Sequence, residues 1–152
     1  MRTDLLIIGS GIAGLSLAIK AGEQQKVLIV TKNAAMESNT RYAQGGIASV
    51  MAPLDDFDSH IQDTIEAGAH LCDEKIVEKV ICSGPRLIEE LLHIGVKFNK
   101  NSQDKFDLGI EGGHSKRRIL HASDVTGYEL ERKLLAKVKK SPNIKILEFH
   151  AA

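Results

Sequence analysis

Two glycine-rich stretches carry residue types whose spacing could do chemistry. Gly9-Ser10-Gly11-Ile12-Ala13-Gly14 is a G-x-G-x-x-G run. Its first glycine permits a tight turn. The second lets a pyrophosphate approach the backbone at a helix N-terminus, and the third lets that helix pack on its strand. The other stretch is Ser38-Asn39-Thr40-Arg41-Tyr42-Ala43-Gln44-Gly45-Gly46. Two adjacent glycines after a polar run leave N–H groups with no side chain in the way, so this loop can lie against a flat ring system.

Each stretch needs elements to hold it. Leu5-Leu6-Ile7-Ile8 is a continuous apolar run that stops at Gly9, as a strand buried on both faces does. The spacing of Leu15, Ala18 and Ile19 predicts a helix over 11–21 that ends at Gly22. Lys26-Val27-Leu28-Ile29-Val30 reads as a second buried strand. Strand, glycine motif, helix and strand together predict a parallel β-α-β unit, the context in which G-x-G-x-x-G signals dinucleotide binding. A nicotinamide-binding unit usually ends its second strand on an acidic residue that holds the ribose. Here the end is Val30-Thr31-Lys32, and that lysine suits a phosphate or is a solvated strand end. Together with the loop at 38–46, this points away from nicotinamide and toward flavin.

Residues 33–57 lack helical or strand periodicity, and loops of that length are usually functional. A capping box at Ser59–Gln62 predicts a helix to about residue 67. Helices from Asp73 and from Pro85 follow, the latter ending at Gly95. Residues 96–98 and 118–122 read as short strands. A capping box at Thr126 to Glu129 opens a helix to about residue 140, and 144–149 is the last strand. The class is therefore α/β, built on a Rossmann-like parallel sheet.

Composition removes several functions. Lys+Arg and Asp+Glu both number 20, so nothing attracts nucleic acid or an anionic membrane. Aromatic content is 4% with no tryptophan, too little for base-stacking surfaces. No run reaches the roughly 18 apolar residues of a membrane span. Cys72 and Cys82 have neither redox nor zinc spacing and read as reduced thiols, which fits the cytoplasm. His60, His70, His93, His114, His121 and His150 show no metal-ligand spacing and read as surface or internally satisfied residues. Of Arg117 and Arg118, adjacent on a predicted strand, at most one faces a dicarboxylate.

The run GSGIAGLSLA, the Thr-Lys strand end, SNTRYAQGGIA at 38–48 and EGGHSKRRILHASDVTG at 111–127 come in order along the chain. In these motifs the chain resembles the amino-terminal part of the succinate dehydrogenase/fumarate reductase flavoprotein family, and most of all its aspartate-oxidising branch. The resemblance implies a Rossmann-like FAD-binding domain, incomplete here. It implies noncovalent FAD, because Asn39 stands where covalently flavinylated members carry histidine. It places Ser10, Gly11, Ile12, Ala13 and Gly14 at the pyrophosphate and Lys32 near the adenosine. It lines the flavin with the loop from Asn39 and Thr40 through Arg41, Tyr42, Ala43 and Gln44 to Gly45 and Gly46. Whether the Arg41 and Tyr42 side chains touch flavin or only pack the loop is left open.

Glu111, in the EGGHS context, is the residue that would recognise an ammonium group, which a carboxylate suits by charge. The implied reaction is oxidation of L-aspartate to iminoaspartate, with oxygen or fumarate reoxidising the flavin. It serves quinolinate and NAD biosynthesis, with quinolinate synthase taking the imine. The family's capping and C-terminal helical domains, with their catalytic groups, fall outside the 152 residues, so no catalytic residue is expected within them and the piece alone is expected to be inactive. Missing strands are expected to leave Ile7, Ile29 and Ile146 exposed. A succinate dehydrogenase or fumarate reductase flavoprotein and a noncatalytic FAD-binding module are the competing readings.

Overall fold

A computed structural model of the chain describes residues 2–123 and 125–152. Met1 and Asp124, which the start of the chain and the 111–127 motif include, lie outside the described residues. The chain divides into two compact units, Met1–Gln44 with Ile94–Val96 and Val125–Ala152, and Gly45–His93 with Lys97–Asp124.

The first unit is built on a parallel three-stranded sheet. β1 (Leu5–Ile8), β2 (Val27–Val30) and β5 (Ile144–Leu147) lie in the order β1-β2-β5, with Ile7 opposite Ile29 and Ile29 opposite Ile146. Helix α1 (Ile12–Ala21) connects β1 to β2, and its C-cap Gly22 donates its N–H to the Ala18 carbonyl. Helix α4 (Thr126–Lys139) packs beside α1. The expectation that Ile7, Ile29 and Ile146 leave apolar surface exposed fails for the first two. Ile7 and Ile29 are buried with Val27 and Ile144, and Ile146 is half-buried. Side chains alternate across a strand, and α1 and α4 cover the face that these residues share. The opposite face carries the exposed residues, Leu6 at 53% and Ile8 at 70%.

The second unit holds α2 (Phe57–Ala67), most of α3 (Glu74–Ile94) and an antiparallel pair, β3 (Ile47–Ala48) with β4 (Ile119–Leu120). Helix α2 begins two residues before the predicted capping box. Its N-cap is Asp56, whose carboxylate accepts the Ser59 N–H at 2.7 Å. The two helices expected from Asp73 and Pro85 are one, with Pro85 inside it. Ile81 and Ile88, two turns apart, are both buried, so one apolar stripe runs through the proline and packing outweighs its missing hydrogen bond. Residues 96–98 form no strand. Val96 and Phe98 are buried around an exposed Lys97, a period-two pattern met by packing without a ladder partner. The predicted strand at 118–122 shrinks to β4. At α4 the cap position is Val125 rather than Thr126, which is already helical, and Glu129 pairs with Arg132 at 2.6 Å.

The second unit's interior is organised by a charge. Arg118 is wholly buried. It donates to Asp55 through Nε at 3.0 Å and Nη2 at 2.7 Å, to Asp63 through Nη1 at 2.7 Å, and to the Ser59 hydroxyl at 3.2 Å. The bidentate fork suits guanidinium geometry and compensates for desolvation of the charges. Burial pushes the Asp63 carboxyl up, but the Ser115 N–H and hydroxyl and the Arg118 guanidinium outweigh it and hold the group below its ordinary value. Its stabilising contribution is therefore present at neutral pH and lost as pH falls through the depressed value. Arg118→Met leaves two carboxylates inside without a counter-ion and is expected to cost about 3–5 kcal/mol, read as a lowered urea midpoint. A loss below about 1 kcal/mol would show that the two aspartates find other partners.

Candidate functional site

The first unit presents a glycine turn at the start of a helix. Gly9 has φ +101°, a conformation that other residues rarely adopt. A Cβ on Gly14 would lie 2.2 Å from the Gly9 carbonyl oxygen, so only glycine lets α1 close on the turn. The first turn of α1 contains no acidic residue, and Ile12 and Ala13 are exposed. An exposed helix N-terminus without a carboxylate suits a pyrophosphate. Ser10 differs from its neighbours in the motif. Its side chain is buried and donates to the Thr31 hydroxyl at 3.2 Å, tying the turn to the end of β2. Lys32 follows in the exposed strand end.

The loop at 38–44 is fastened to this turn and to α4. Thr40–Tyr42 form one 3-10 turn, with N–H donations from Arg41 to Ser38, Tyr42 to Asn39 and Ala43 to Thr40. The Thr40 hydroxyl accepts the Ile12 N–H at 3.0 Å, so the loop itself caps α1. Gly127 on α4 donates its N–H to the Ala43 carbonyl at 3.0 Å, and a Cβ there would fall 1.8 Å from the Thr40 carbonyl oxygen. Arg41 pairs with Glu37 at 3.2 Å and lies near the rings of Tyr42 and Tyr128, while the Tyr42 hydroxyl donates to Glu37. Both side chains thus pack within the loop. Asn39, Ala43 and Gln44 are exposed. Gly127 and Glu131, a wholly buried acid on α4, were missed from the sequence; only the Thr-Gly pair at a helix start signalled the first.

The second unit holds the rest. Gly46 passes against β4, where a Cβ would meet the Ile119 side chain and the Leu120 carbonyl oxygen at 2.3 Å. Gly45 is exposed, and the Glu111 carboxylate lies beside it: a Cβ on Gly45 would be 3.7 Å and 4.0 Å from its two oxygens. Glu111 opens a turn whose carbonyl accepts the His114 N–H at 3.2 Å, with Gly113 at φ +83°. Asp63 secures the turn by accepting from the Ser115 N–H at 2.7 Å and hydroxyl at 2.9 Å.

One reading from the sequence is corrected here and another is narrowed. His60 and His114 are not separate, satisfied residues: their rings meet edge-on at 5.6 Å, and neither Nδ1 has a hydrogen-bond partner among the described residues. Burial, then the nearby Arg118 guanidinium and His114, push the His60 imidazole below its ordinary value, so it is neutral at pH 7. Arg118 is committed to Asp55 and Asp63, which leaves Arg117, exposed and donating to the Leu108 carbonyl at 3.4 Å, as the only arginine of the pair open to solvent. Among the described residues no group of His, Cys, Asp and Glu is arranged to hold a metal.

Gly127→Ala is expected to force the loop off α4, costing about 1–3 kcal/mol. Amide exchange at Arg41, Tyr42 and Ala43 should rise accordingly. Gly112→Ala, at a position with nothing within 4 Å, serves as the neutral control. Unchanged exchange in the Gly127 variant would show that the contact does not hold the loop.

Comparison with known proteins gives the family and the fold. The chain is 49% identical over 149 residues to L-aspartate oxidase 2-b, chloroplastic, of Nicotiana tabacum, covering 98% of this chain and 23% of that one. It is 44% identical over 156 residues to L-aspartate oxidase of Vibrio cholerae, covering 99% and 29%. The chain thus spans about a quarter of the length of these curated relatives. Among solved structures it matches E. coli quinol fumarate reductase FrdA with a TM-score of 0.92 at 28% identity, over 98% of this chain and 26% of that one. The Mycobacterium smegmatis Sdh1 complex gives 0.91 at 28%, over 97% and 27%. Residues 4–152 match the model of the FAD binding domain family; the chain belongs to that family of flavoproteins, and the curated proteins it resembles are L-aspartate oxidases.

Proposed function

We propose that this chain is the cofactor-binding portion of a flavin-dependent oxidoreductase that oxidises L-aspartate to iminoaspartate. Bound FAD would supply hydride acceptance, and the residues present have definite tasks around it. The turn at Gly9 to Gly14 and the exposed N–H groups of α1 take the pyrophosphate. Lys32 serves the adenosine side, and residues 39–46 serve the flavin. The observation that carries the substrate reading is the Glu111 carboxylate beside Gly45. It sets an exposed negative charge next to the paired glycines of the loop, where a succinate-type substrate needs none and an amino acid's ammonium needs one. The EGGHS context and the similarity to L-aspartate oxidases support the same assignment.

Electron transfer to oxygen or fumarate and delivery of the imine to quinolinate synthase, for NAD biosynthesis, belong to this reading. So does a reducing, cytoplasmic setting, which free Cys72 and Cys82 suit. No helix among the described residues is long and apolar enough to cross a membrane. The 152 residues alone are proposed to be inactive, because hydride transfer needs the substrate carbon clamped near the flavin and misplacement by about 1 Å costs about a hundred-fold.

FAD is expected to bind noncovalently. Asn39 has no imidazole to alkylate, so acid precipitation should leave the flavin in the supernatant. Yellow, fluorescent protein in the pellet would overturn the noncovalent assignment. In an enzyme carrying this segment, Glu111→Gln is expected to lower kcat/KM for L-aspartate by about ten- to a hundred-fold, the worth of a charge-assisted hydrogen bond of about 1.5–3 kcal/mol. Fumarate reduction by the same variant should be spared; equal losses for both substrates would reduce Glu111 to a loop-shaping residue.

A further inference from the structure

Glu131 has no exposed surface, and neither of its carboxylate oxygens has a hydrogen-bond partner among the described residues. An ionised carboxylate so placed is strongly disfavoured, whereas the neutral acid loses far less. Glu131 lies one turn beyond Gly127, on the same stripe of α4, and Gly127 is the residue bonded to the loop at Ala43. The hydroxyl of Ser38, the first residue of that loop, opposes the upward push on it without completing a hydrogen bond. The titratable groups on the elements packed against α4 are Lys20 on α1, Arg41 and Tyr42 on the 3-10 turn, and Lys145 on β5. None contributes to the ionisation of Glu131. Burial pushes its carboxyl up to about 7, and the Ser38 hydroxyl draws it back only in part.

We infer that Glu131 is a positioning residue for the cofactor loop: closing residues 38–43 onto α4 takes up one proton at its carboxyl, so FAD binding is coupled to proton uptake. The coupling rests on the FAD reading above. An open loop lets water reach the group, which returns to the ordinary carboxylate range. The closed state holds the proton up to about 7. Closure is therefore fully favoured below the ordinary carboxylate value. It weakens by up to tenfold per pH unit as pH rises toward about 7, and it levels off above that.

The test uses the 152-residue chain, without and with FAD, between about pH 5 and 8. Without FAD, protection factors of the Arg41, Tyr42, Ala43 and Gly127 amides are expected to fall up to tenfold per unit and then level off; in Glu131→Gln they should stay high and flat. The FAD dissociation constant, from quenching of flavin fluorescence, should rise with the same profile in the parent and be flat in the variant. A shared slope in parent and variant, or a flat parent profile, overturns the inference. Should Glu131→Gln fail to fold, carboxyl 13C titration of the parent decides. A midpoint near 7 upholds the coupling, and one in the ordinary carboxylate range overturns it. pH-linked protection in a chain that binds no FAD at any pH would uphold the loop's coupling to a proton and remove the cofactor reading. FAD binding with a flat profile would do the reverse.

Discussion

Gly127 donates its N–H to the Ala43 carbonyl at 3.0 Å, and no larger residue fits against the Thr40 carbonyl oxygen. This backbone-to-backbone approach sets what the first unit can present. It fixes the height of the 38–44 loop on α4. Through Thr40, whose hydroxyl takes the Ile12 N–H, it also caps the helix that starts at the glycine turn. The turn, the loop and α4 thus share one chain of hydrogen bonds. A change in how the loop sits on α4 changes both the donors left free at the α1 N-terminus and the surroundings of Glu131. Proximity of this kind makes a cofactor site cooperative without any single strong contact.

The second unit reaches order by a different route. Its central group is a guanidinium with no exposed surface, held by Asp55 and Asp63, whose side chains are 1% and 14% exposed. Burying these charges is costly, and the bidentate fork and the second aspartate offset that cost. Asp63 also takes the Ser115 N–H, so the same pair that neutralises Arg118 anchors the turn opened by Glu111. His60 and His114 fill the space beside it edge to face, and burial with the nearby guanidinium lowers the His60 imidazole. The position of the exposed Glu111 turn therefore depends on Asp63 and on the buried guanidinium it pairs with.

The sheet, α1 and the glycine turn were legible because their signals are local: apolar runs of strand length, a 3.6-residue stripe, and glycines at fixed offsets. The Rossmann-like unit follows from those alone. Helix ends were less legible, since Asp56 and Ser59 both suit a cap and only the path of the preceding loop selects the first. Pro85 looked like a boundary because intrinsic propensity puts it there; burial of Ile81 and Ile88 on one stripe overrode that. Arg118 was legible as a basic residue on a strand but not as an interior one, because its partners are 55 and 63 residues away in sequence. Glu131 gave no signal at all: on a helix with Glu129, Arg132 and Lys133 around it, one more charge reads as solvated surface.

Glu111 and Glu131 show how environment assigns different work to one side chain. Glu111 is exposed beside a glycine, where solvent supports a charge, and a charge is what the proposed ammonium partner requires. Glu131 has no exposed surface and no hydrogen-bond partner among the described residues, so burial pushes its carboxyl up to about 7 and it still holds a proton where an exposed carboxylate has lost it. Exchanging the two environments would undo both proposed tasks. A buried Glu111 would be a neutral acid with little hold on a cation, and an exposed Glu131 would titrate as an ordinary carboxylate with no link to the loop. The apolar packing of α4 and the open glycine loop thus give two glutamates different surroundings, and burial alone is what raises the Glu131 carboxyl.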